Sequence, residues 1–574
     1  MPLLLSIRNL GISFGKGKEQ TIAVRNLSLE LKKGELLAIV GESGSGKSVS
    51  ALSLLRLLPK QSTVTGHAFL HRWEEQPLDL IELPQADMNE IRGSNIAMIF
   101  QEPMTSLNPV FTCGYQVMES IRLHQKVNKK IARQKAIALF EQVQLPDPAG
   151  MIKRYPHELS GGQKQRVMIA MAMSSNPALL IADEPTTALD VTVQKNILEL
   201  IRQLQRQNNM GVIFITHDLG IVADIADKIA VMHKGEIVEQ GIAKEVLAKP
   251  RHPYTRALLA CRPASNPKGK RLPVVSDFLG VDESLVNVQP APNEPRSEKE
   301  KTETPDPILQ VQNLSVQFPT RKNLFGKAVE FFNAVDNVSF DVMPGDIVGL
   351  VGESGCGKTT LGRTILQLVK PTSGNIILHG EDISKIKTPS LRSLRKDFQI
   401  VFQDPYGSLN PRLTIGEAIL EPLKVHGMGS TGSNRKEKVI ELLEKVNLKA
   451  EHYNRYPHQF SGGQRQRICI ARALVLEPRF LVFDESVSAL DVSVQAQVLN
   501  LLNDLKAAFG FTAIFISHDL AVVHYISNRI LVMQQGKIVE QGSADQVYQQ
   551  PAHEYTRKLL DAIPGKSLRL PSSS

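Results

Sequence analysis

Two stretches of the chain, ELLAIV at Glu35–Val40 and DIVGLV at Asp346–Val351, are apolar almost throughout and run straight into a glycine-rich turn. After each turn, Ser48–Leu58 and Thr359–Val369 place Leu, Val and Ile at helical intervals, so the pattern predicts strand, turn, helix. Further along, ALLIADE (Ala178–Glu184) and FLVFDE (Phe480–Glu485) are continuous apolar runs without alternation. Such runs suit strands of a parallel sheet buried on both faces. GVIFITHD (Gly211–Asp218) and TAIFISHD (Thr512–Asp519) repeat the theme. Strands alternating with helices imply an α/β core. The opening residues, MPLLLSIRNLGISF, lack a basic leader and a small-residue cleavage site and read as a first strand rather than a signal peptide.

These elements occur twice. GESGSGKS at Gly41–Ser48 returns as GESGCGKT at Gly352–Thr359, and YPHELSGGQKQR from Tyr155 returns as YPHQFSGGQRQR from Tyr456, 301 residues on. Asp183-Glu184, His217 and Tyr254-Thr255-Arg256 recur at the same offset as Asp484-Glu485, His518 and Tyr555-Thr556-Arg557. The repeat divides the 574 residues into a first domain over 1–263, a linker over 264–307, a second domain over 308–564 and a tail over 565–574. Within the linker, Val288–Pro307 is rich in Pro, Glu, Lys and Thr and nearly empty of large apolar side chains, so it is expected to be mobile and protease-sensitive. Ala264–Asn287 is less polar, and packing on the first domain is open for it. The first copy carries about nine extra residues between Lys47 and Gln101, placed by composition in Thr63–Pro84.

A hydrophobic content of 42% and a charged content of 22% fit an ordinary globular protein. The net charge of +9 is compatible with simple surface solvation or with a basic face toward anionic lipid or nucleic acid. No apolar run approaches the roughly 18–20 residues of a membrane-spanning helix, which places the protein on the cytoplasmic side of the membrane. Cys113, Cys261, Cys356 and Cys469 are scattered, which argues against a zinc site or an iron–sulfur cluster.

The glycine turns have the phosphate-loop form G-x-x-x-x-G-K-[ST]. In Gly41, Glu42, Ser43, Gly44, Ser45, Gly46, Lys47 and Ser48, and again in Gly352, Glu353, Ser354, Gly355, Cys356, Gly357, Lys358 and Thr359, backbone N–H groups and a helix N-terminus are aimed at an anion. Lys47 and Lys358 reach the β- and γ-phosphates of ATP, and Ser48 and Thr359 hold Mg²⁺. Asp183 and Asp484 end apolar strands and bring a carboxylate to the Mg²⁺ rim, while Glu184 and Glu485 follow to orient or deprotonate the attacking water. Gln101 and Gln403 end the strands IAMIFQ and FQIVFQ and precede matched segments, EPMTSLNP and DPYGSLNP; they are read as coupling residues and further metal ligands. His217 and His518 close strands where a γ-phosphate contact would sense ATP. Ser160, Gly161, Gly162 and Gln163, with Ser461, Gly462, Gly463 and Gln464, open helices in a second anion-binding geometry. A second anion loop per domain is explained most simply if it serves the other domain's nucleotide.

Phosphate loop, glutamine, LSGGQ-type segment, Asp-Glu strand, Ala188–Asp190 and Ala489–Asp491 (ALD in both), and terminal histidine, in that order, resemble the ATPase domains of ABC transporters over nearly both units. The resemblance implies, for each domain, a mainly parallel RecA-like core, an antiparallel β subdomain and a helical subdomain carrying the LSGGQ segment. It also implies an intramolecular sandwich of two ATP molecules, with Lys47, Ser48, Gln101, Asp183, Glu184 and His217 facing Ser461–Gln464, and Lys358, Thr359, Gln403, Asp484, Glu485 and His518 facing Ser160–Gln163. Phe14 and Phe318 lie where the family stacks an aromatic ring on adenine; core packing is the rival reading. The tails HPYTRALL (His252–Leu259) and HEYTRKLL (His553–Leu560) resemble the ATPases of bacterial peptide importers, a group that takes up dipeptides, oligopeptides, glutathione and, in some branches, nickel. The fused form with DESVSALD (Asp484–Asp491) is most similar to the glutathione branch.

As an importer ATPase the chain is expected at the cytoplasmic face of the membrane with two integral membrane permeases, indirectly a periplasmic or extracellular solute-binding protein, and no nucleic acid. A cysteine cluster found after the HPYT segment in many such ATPases is missing, so no iron–sulfur cluster is expected. Phe460, Ser486 and Cys356 depart from Leu159, Pro185 and Ser45 of the first copy without removing a catalytic group, so both sites are expected to hydrolyse ATP. The alternative is a soluble tandem ABC ATPase acting on ribosomes as a translation factor. The Pro-rich linker, without heptads, disfavours it, and the lack of coiled-coil or zinc-bearing insertions disfavours a DNA-repair or chromosome protein.

Overall fold

The computed structural model describes residues 2–15, 17, 20–71, 76–101, 106–187, 189–280, 306–322, 328–386, 388–429, 432–566 and 568. It divides into two compact units, Met1–Ala260 with Pro564–Ser574, and Cys261–Ile563.

In the first unit a six-stranded sheet runs Glu236–Ile242, Lys228–His233, Leu36–Val40, Gly211–Thr216, Leu179–Asp183, Ile96–Ile99. All neighbours are parallel except the outermost pair, 236–242 with 228–233. Leu36–Val40, Leu179–Asp183 and Gly211–Thr216 are buried at every position, which is why their sequences read as unbroken apolar runs. An antiparallel sheet, Thr21–Lys32, Leu3–Phe14, Ser62–Leu70, Leu78–Asp79, packs its apolar face on the same core. A helical group over 113–172 forms a further core.

The second unit repeats the plan with sheets ordered Phe398–Val401, Phe480–Asp484, Thr512–Ser517, Ile347–Val351, Arg529–Gln534, Lys537–Ser543 and Ala328–Val342, Leu309–Lys322, Ser373–Leu378, Glu381–Asp382. The first copy's extra residues lengthen its third antiparallel strand to nine residues from six, and lengthen the connection that follows. The helices after the phosphate loops are shorter than the apolar spacing predicts, Lys47–Leu54 and Lys358–Ile365. Arg56 and Gln367 adopt left-handed φ of 49° and 54° just beyond, a conformation that ends a helix.

The unit boundaries differ from those read in the sequence. Residues 264–280, assigned to a linker, belong to the second unit, and the chain's end from Pro564 belongs to the first, where Gly565 N–H donates to Asp224 Oδ2 at 3.0 Å. Residues 281–305, most of the predicted mobile segment, lie outside the described residues. In the second unit, the buried Asn500 side chain on the helix Val492–Phe509 clasps the Leu272 backbone from both sides: it accepts from Leu272 N–H at 2.9 Å and donates to the Leu272 carbonyl at 2.8 Å. Tyr525 Oη donates to the Lys270 carbonyl at 3.0 Å. The equivalent residues in the first copy, Glu199 and Asp224, are acidic. Asn500→Ala strands a buried N–H and a buried carbonyl, so amide exchange at Leu272, followed by mass spectrometry, is expected to accelerate about tenfold or more.

Candidate active site

Each phosphate loop sits between a fully buried strand and the helix it caps. Gly46 and Gly357 hold φ of 101° and 110°. A Cβ there would lie 2.6 Å from the Ala23 carbonyl oxygen in the first copy and 2.1 Å from that of Ala334 in the second, so both conformation and space demand glycine. Lys47 and Lys358 are buried. Lys47 Nζ donates to the carbonyls of Gly41 at 2.7 Å and Glu42 at 2.9 Å; Lys358 Nζ donates to those of Gly352 at 2.8 Å and Glu353 at 2.9 Å. Each lysine is thus held within its own loop. Ser43, Gly44, Ser354 and Gly355 are exposed at the loop tips, while Ser45 and Cys356 are buried beneath them.

The carboxylates converge on these loops. Ser48 Oγ donates to Asp183 Oδ1 at 2.9 Å, and Thr359 Oγ1 to Asp484 Oδ1 at 2.9 Å. Burial pushes Asp183 up to about 6, opposed by the Ser48 bond and by Lys47; Asp484 is raised by burial too. Glu184 and Glu485 hold left-handed φ of 45° and 47°, uncommon for a side-chain-bearing residue and the kind of strain that collects at functional positions. Glu184 Oε2 accepts from Gln101 Nε2 at 3.2 Å and Thr187 Oγ1 at 2.9 Å, and His217 Nδ1 lies 3.4 Å away. Burial would raise this carboxyl, but His217, Lys47 and Thr187 outweigh it and bring it down to about 2. Glu485 accepts from Gln403 Nε2 at 2.8 Å, with His518 Nδ1 at 3.7 Å and Lys358 Nζ at 3.9 Å, and is lowered against its burial by His518 and Lys358. Glutamine, glutamate, histidine and lysine, remote in sequence, thus meet around one carboxylate in each copy. Thr187 adds a bond that its counterpart Ser488 does not make, since the buried Ser488 hydroxyl has no hydrogen-bond partner among the described residues.

The LSGGQ-type segments are helix starts. Ser160 caps Gly161–Ala172 by accepting from Gln163 N–H at 3.3 Å, and Gln163 Oε1 accepts from Ser160 N–H at 3.1 Å; Ser461 and Gln464 make the same reciprocal pair at 3.4 and 3.1 Å. The glutamines, read as nucleotide contacts, therefore also hold the helix end. Gly162 and Gly463 are packing glycines, because a Cβ would meet Val193 Cγ1 at 2.5 Å and Val494 Cγ1 at 2.3 Å. Around Gly161 and Gly462 there is room among the described residues, where a Cβ at Gly161 would meet Leu189 Cδ2 at 3.4 Å.

Phe14 and Phe318 occupy equivalent strand positions in different surroundings. Phe14 pairs with Thr21 and packs partly on the core, whereas Phe318 pairs with Phe332 and both are exposed. Phe14 is thus partly buried against the core, while Phe318 is exposed. Tyr254 and Tyr555, seen in the sequence only as marks of a subgroup, reach the phosphate loops; a hydroxyl bonded to a backbone N–H leaves no spacing pattern by which it could have been read.

Comparison with known proteins agrees with this geometry. The family profile described as "ABC transporter" matches residues 24–187 and again 335–488, and the profile "Oligopeptide/dipeptide transporter, C-terminal region" matches 238–277 and 539–568. The chain is 52% identical over 564 residues to "Glutathione import ATP-binding protein GsiA" of Salmonella choleraesuis (strain SC-B67), covering 98% of this chain and 89% of the relative. It is 51% identical, at the same coverage, to the proteins of that name from Shigella boydii serotype 4 (strain Sb227) and Escherichia coli (strain K12). Both the twice-matched profile and this identity across almost the whole chain place the two phosphate-loop units together in one family: the chain belongs to the ABC transporter ATP-binding proteins, which hydrolyse ATP to power transport.

Proposed function

We propose that the chain drives import of glutathione or other short peptides by hydrolysing ATP at two sites, working on permeases at the cytoplasmic face of the membrane. The observation that carries this reading is the 52% identity over 98% of the chain to a glutathione import ATP-binding protein. The repeated C-terminal region of the oligopeptide and dipeptide transporters supports the solute class. Among the described residues no helix is long and apolar enough to cross a membrane, so the path for the solute belongs to partner proteins. A binding protein delivering solute to those permeases completes the proposed assembly.

In this reading Lys47 and Lys358 contact the β- and γ-phosphates, and Glu184 and Glu485, held as ionised carboxylates, orient the attacking water and take up its proton. His217 and His518 report the γ-phosphate, and Gln101 and Gln403 tie the carboxylate to the segment that follows each of them. Ser160–Gln163 and Ser461–Gln464 complete the opposite domain's nucleotide site. The donor set fits Mg²⁺: Ser48 with Asp183, and Thr359 with Asp484, pair hard oxygens at 2.9 Å beside the loop, with Gln101 and Gln403 as further ligands. When bound, Mg²⁺ neutralises phosphate charge during transfer.

Reconstitution with candidate peptide-importer permeases tests the proposal. ATPase activity is expected to rise several-fold with glutathione or a dipeptide plus the cognate binding protein. Stimulation by ribosomes, with none by any peptide, would overturn it.

A further inference from the structure

Each C-terminal extension sends one tyrosine to its own unit's phosphate loop. Tyr254 is fully buried, and its hydroxyl accepts the Glu42 N–H at 3.0 Å. Tyr555 repeats the contact with the Glu353 N–H at 2.9 Å. The N–H that meets the tyrosine belongs to the peptide unit joining Gly41 to Glu42, and the carbonyl of that same unit, Gly41 O, accepts from Lys47 Nζ at 2.7 Å. In the second copy the Gly352–Glu353 peptide is likewise held between Tyr555 Oη and Lys358 Nζ, the latter at 2.8 Å. Because a trans peptide is planar, with N–H and C=O on opposite edges, fixing its N–H fixes where its carbonyl aims.

The tyrosine is itself set firmly. Glu239 accepts the N–H groups of Arg251 and His252 at 2.8 and 3.1 Å, His252 Nδ1 accepts the Tyr254 N–H at 3.2 Å, and the helix Pro253–Ala260 follows. Glu540, His553 and Tyr555 reproduce this framework at 2.7, 3.1 and 3.1 Å. The copies differ in what lies beside the ring. Tyr254 stacks on His233 at 4.1 Å between centroids, and the equivalent position in the second copy is Gln534. The ring's neighbour changes while the hydroxyl contact is kept, so the contact is not a by-product of packing.

We infer that Tyr254 and Tyr555 are positioning residues for nucleotide binding, each orienting the first peptide of the phosphate loop and through it the phosphate-contacting lysine. The extension matched at 238–277 and 539–568 is thereby wired to the nucleotide site, in addition to whatever it does elsewhere. The inference rests on Lys47 and Lys358 contacting phosphate, and K47A alone, which must abolish ATP binding at the first site, tests that premise separately.

The test uses the full chain with one site silenced at a time: Y254F in a K358A background and Y555F in a K47A background, with ATP, ADP and AMP titrated calorimetrically. Phenylalanine keeps the ring and removes only the hydroxyl. Losing the hydroxyl's hydrogen bond to the loop N–H is expected to raise the Kd for ATP and ADP about three- to tenfold. AMP, which lacks the β-phosphate that the lysine holds, is expected to stay within about twofold, and the melting temperature close to that of the parent. A parental Kd for ATP in both tyrosine variants would overturn the inference. So would equal weakening of all three nucleotides in step with a fall in melting temperature, because that is the mark of a residue that merely supports the fold. The two copies are measured independently, so a folding defect in one variant leaves the other to decide.

Discussion

Glu184→Gln and Glu485→Gln are each expected to cut turnover at their own site by about a hundredfold or more and to leave ATP bound there. The expectation follows from charge rather than shape. Gln fits the space of Glu and can still meet Gln101, Thr187 and His217, which now surround the carboxylate at 3.2, 2.9 and 3.4 Å. What it cannot do is take a proton from water. In the wild-type chain burial works against the ionised carboxylate, and His217 with Lys47 more than compensates, bringing Glu184 down to about 2 so that it is ionised at physiological pH. The second site lacks the threonine bond but keeps His518 and Lys358, so the same loss is expected there. Steady-state phosphate release and retention of radiolabelled ATP after gel filtration, measured on each variant in the assembled transporter, check it. Undiminished turnover in one of the two variants would show that the sites are not equivalent.

The parts of this site that the sequence exposed are those whose chemistry forces a local pattern. A phosphate loop must have glycine where Gly46 passes 2.6 Å from a carbonyl oxygen, if a Cβ were there, and must be followed by a helix; both leave marks within eight residues. Strands buried on two faces must be apolar throughout, so Leu179–Asp183 and Phe480–Asp484 announce themselves together with the carboxylates at their ends. The duplication then multiplies the force of each mark. Contacts made by a single polar atom across a long separation leave no such trace. Tyr254 and Glu42 are 212 residues apart and meet through a hydroxyl and a backbone N–H, a pair that any tyrosine and any residue but proline could form. The same holds for the placement of 264–280, assigned to a linker by its position. Leu272, Val274 and Val275 are buried there, but the polar ties to the second unit, Asn500 to the Leu272 backbone and Tyr525 to the Lys270 carbonyl, read backbone and not side chains. Composition is blind to such a contact.

Tyr406→Ala is expected to lower solute uptake by the reconstituted transporter about tenfold or more while ATP affinity stays within about twofold. Tyr406 follows Gln403, the residue whose amide meets the Glu485 carboxylate at 2.8 Å, and its ring is 65% exposed. The inner face is not free: the guanidinium of the buried Arg465 lies 3.7 Å from the ring centroid, and Arg465 sits four residues after Ser461 on the helix Gly462–Leu474. Arg472 of the same helix donates to the Ser408 carbonyl at 2.5 Å. The aromatic ring is therefore backed by the helix of the LSGGQ-type segment and tethered in sequence to the glutamine, with its outer face exposed. Rigid, exposed aromatic residues of this kind carry a large share of interface energy, typically 2 kcal/mol or more, about thirtyfold in affinity. Leu107 and Leu409, in the matched segments EPMTSLNP and DPYGSLNP that follow the glutamines, are buried, so Leu→Ala there is a core lesion of about 2–5 kcal/mol and would not test docking; Met104 and Thr105 lie outside the described residues. In the first copy the stacked pair Phe111 and Tyr115, 4.9 Å between centroids, and nearby Val110 are exposed. Uptake and ATPase rates measured together decide the matter. Uptake lost with ATPase retained marks uncoupling, whereas uptake and turnover both at the wild-type level would remove Tyr406 from the permease contact.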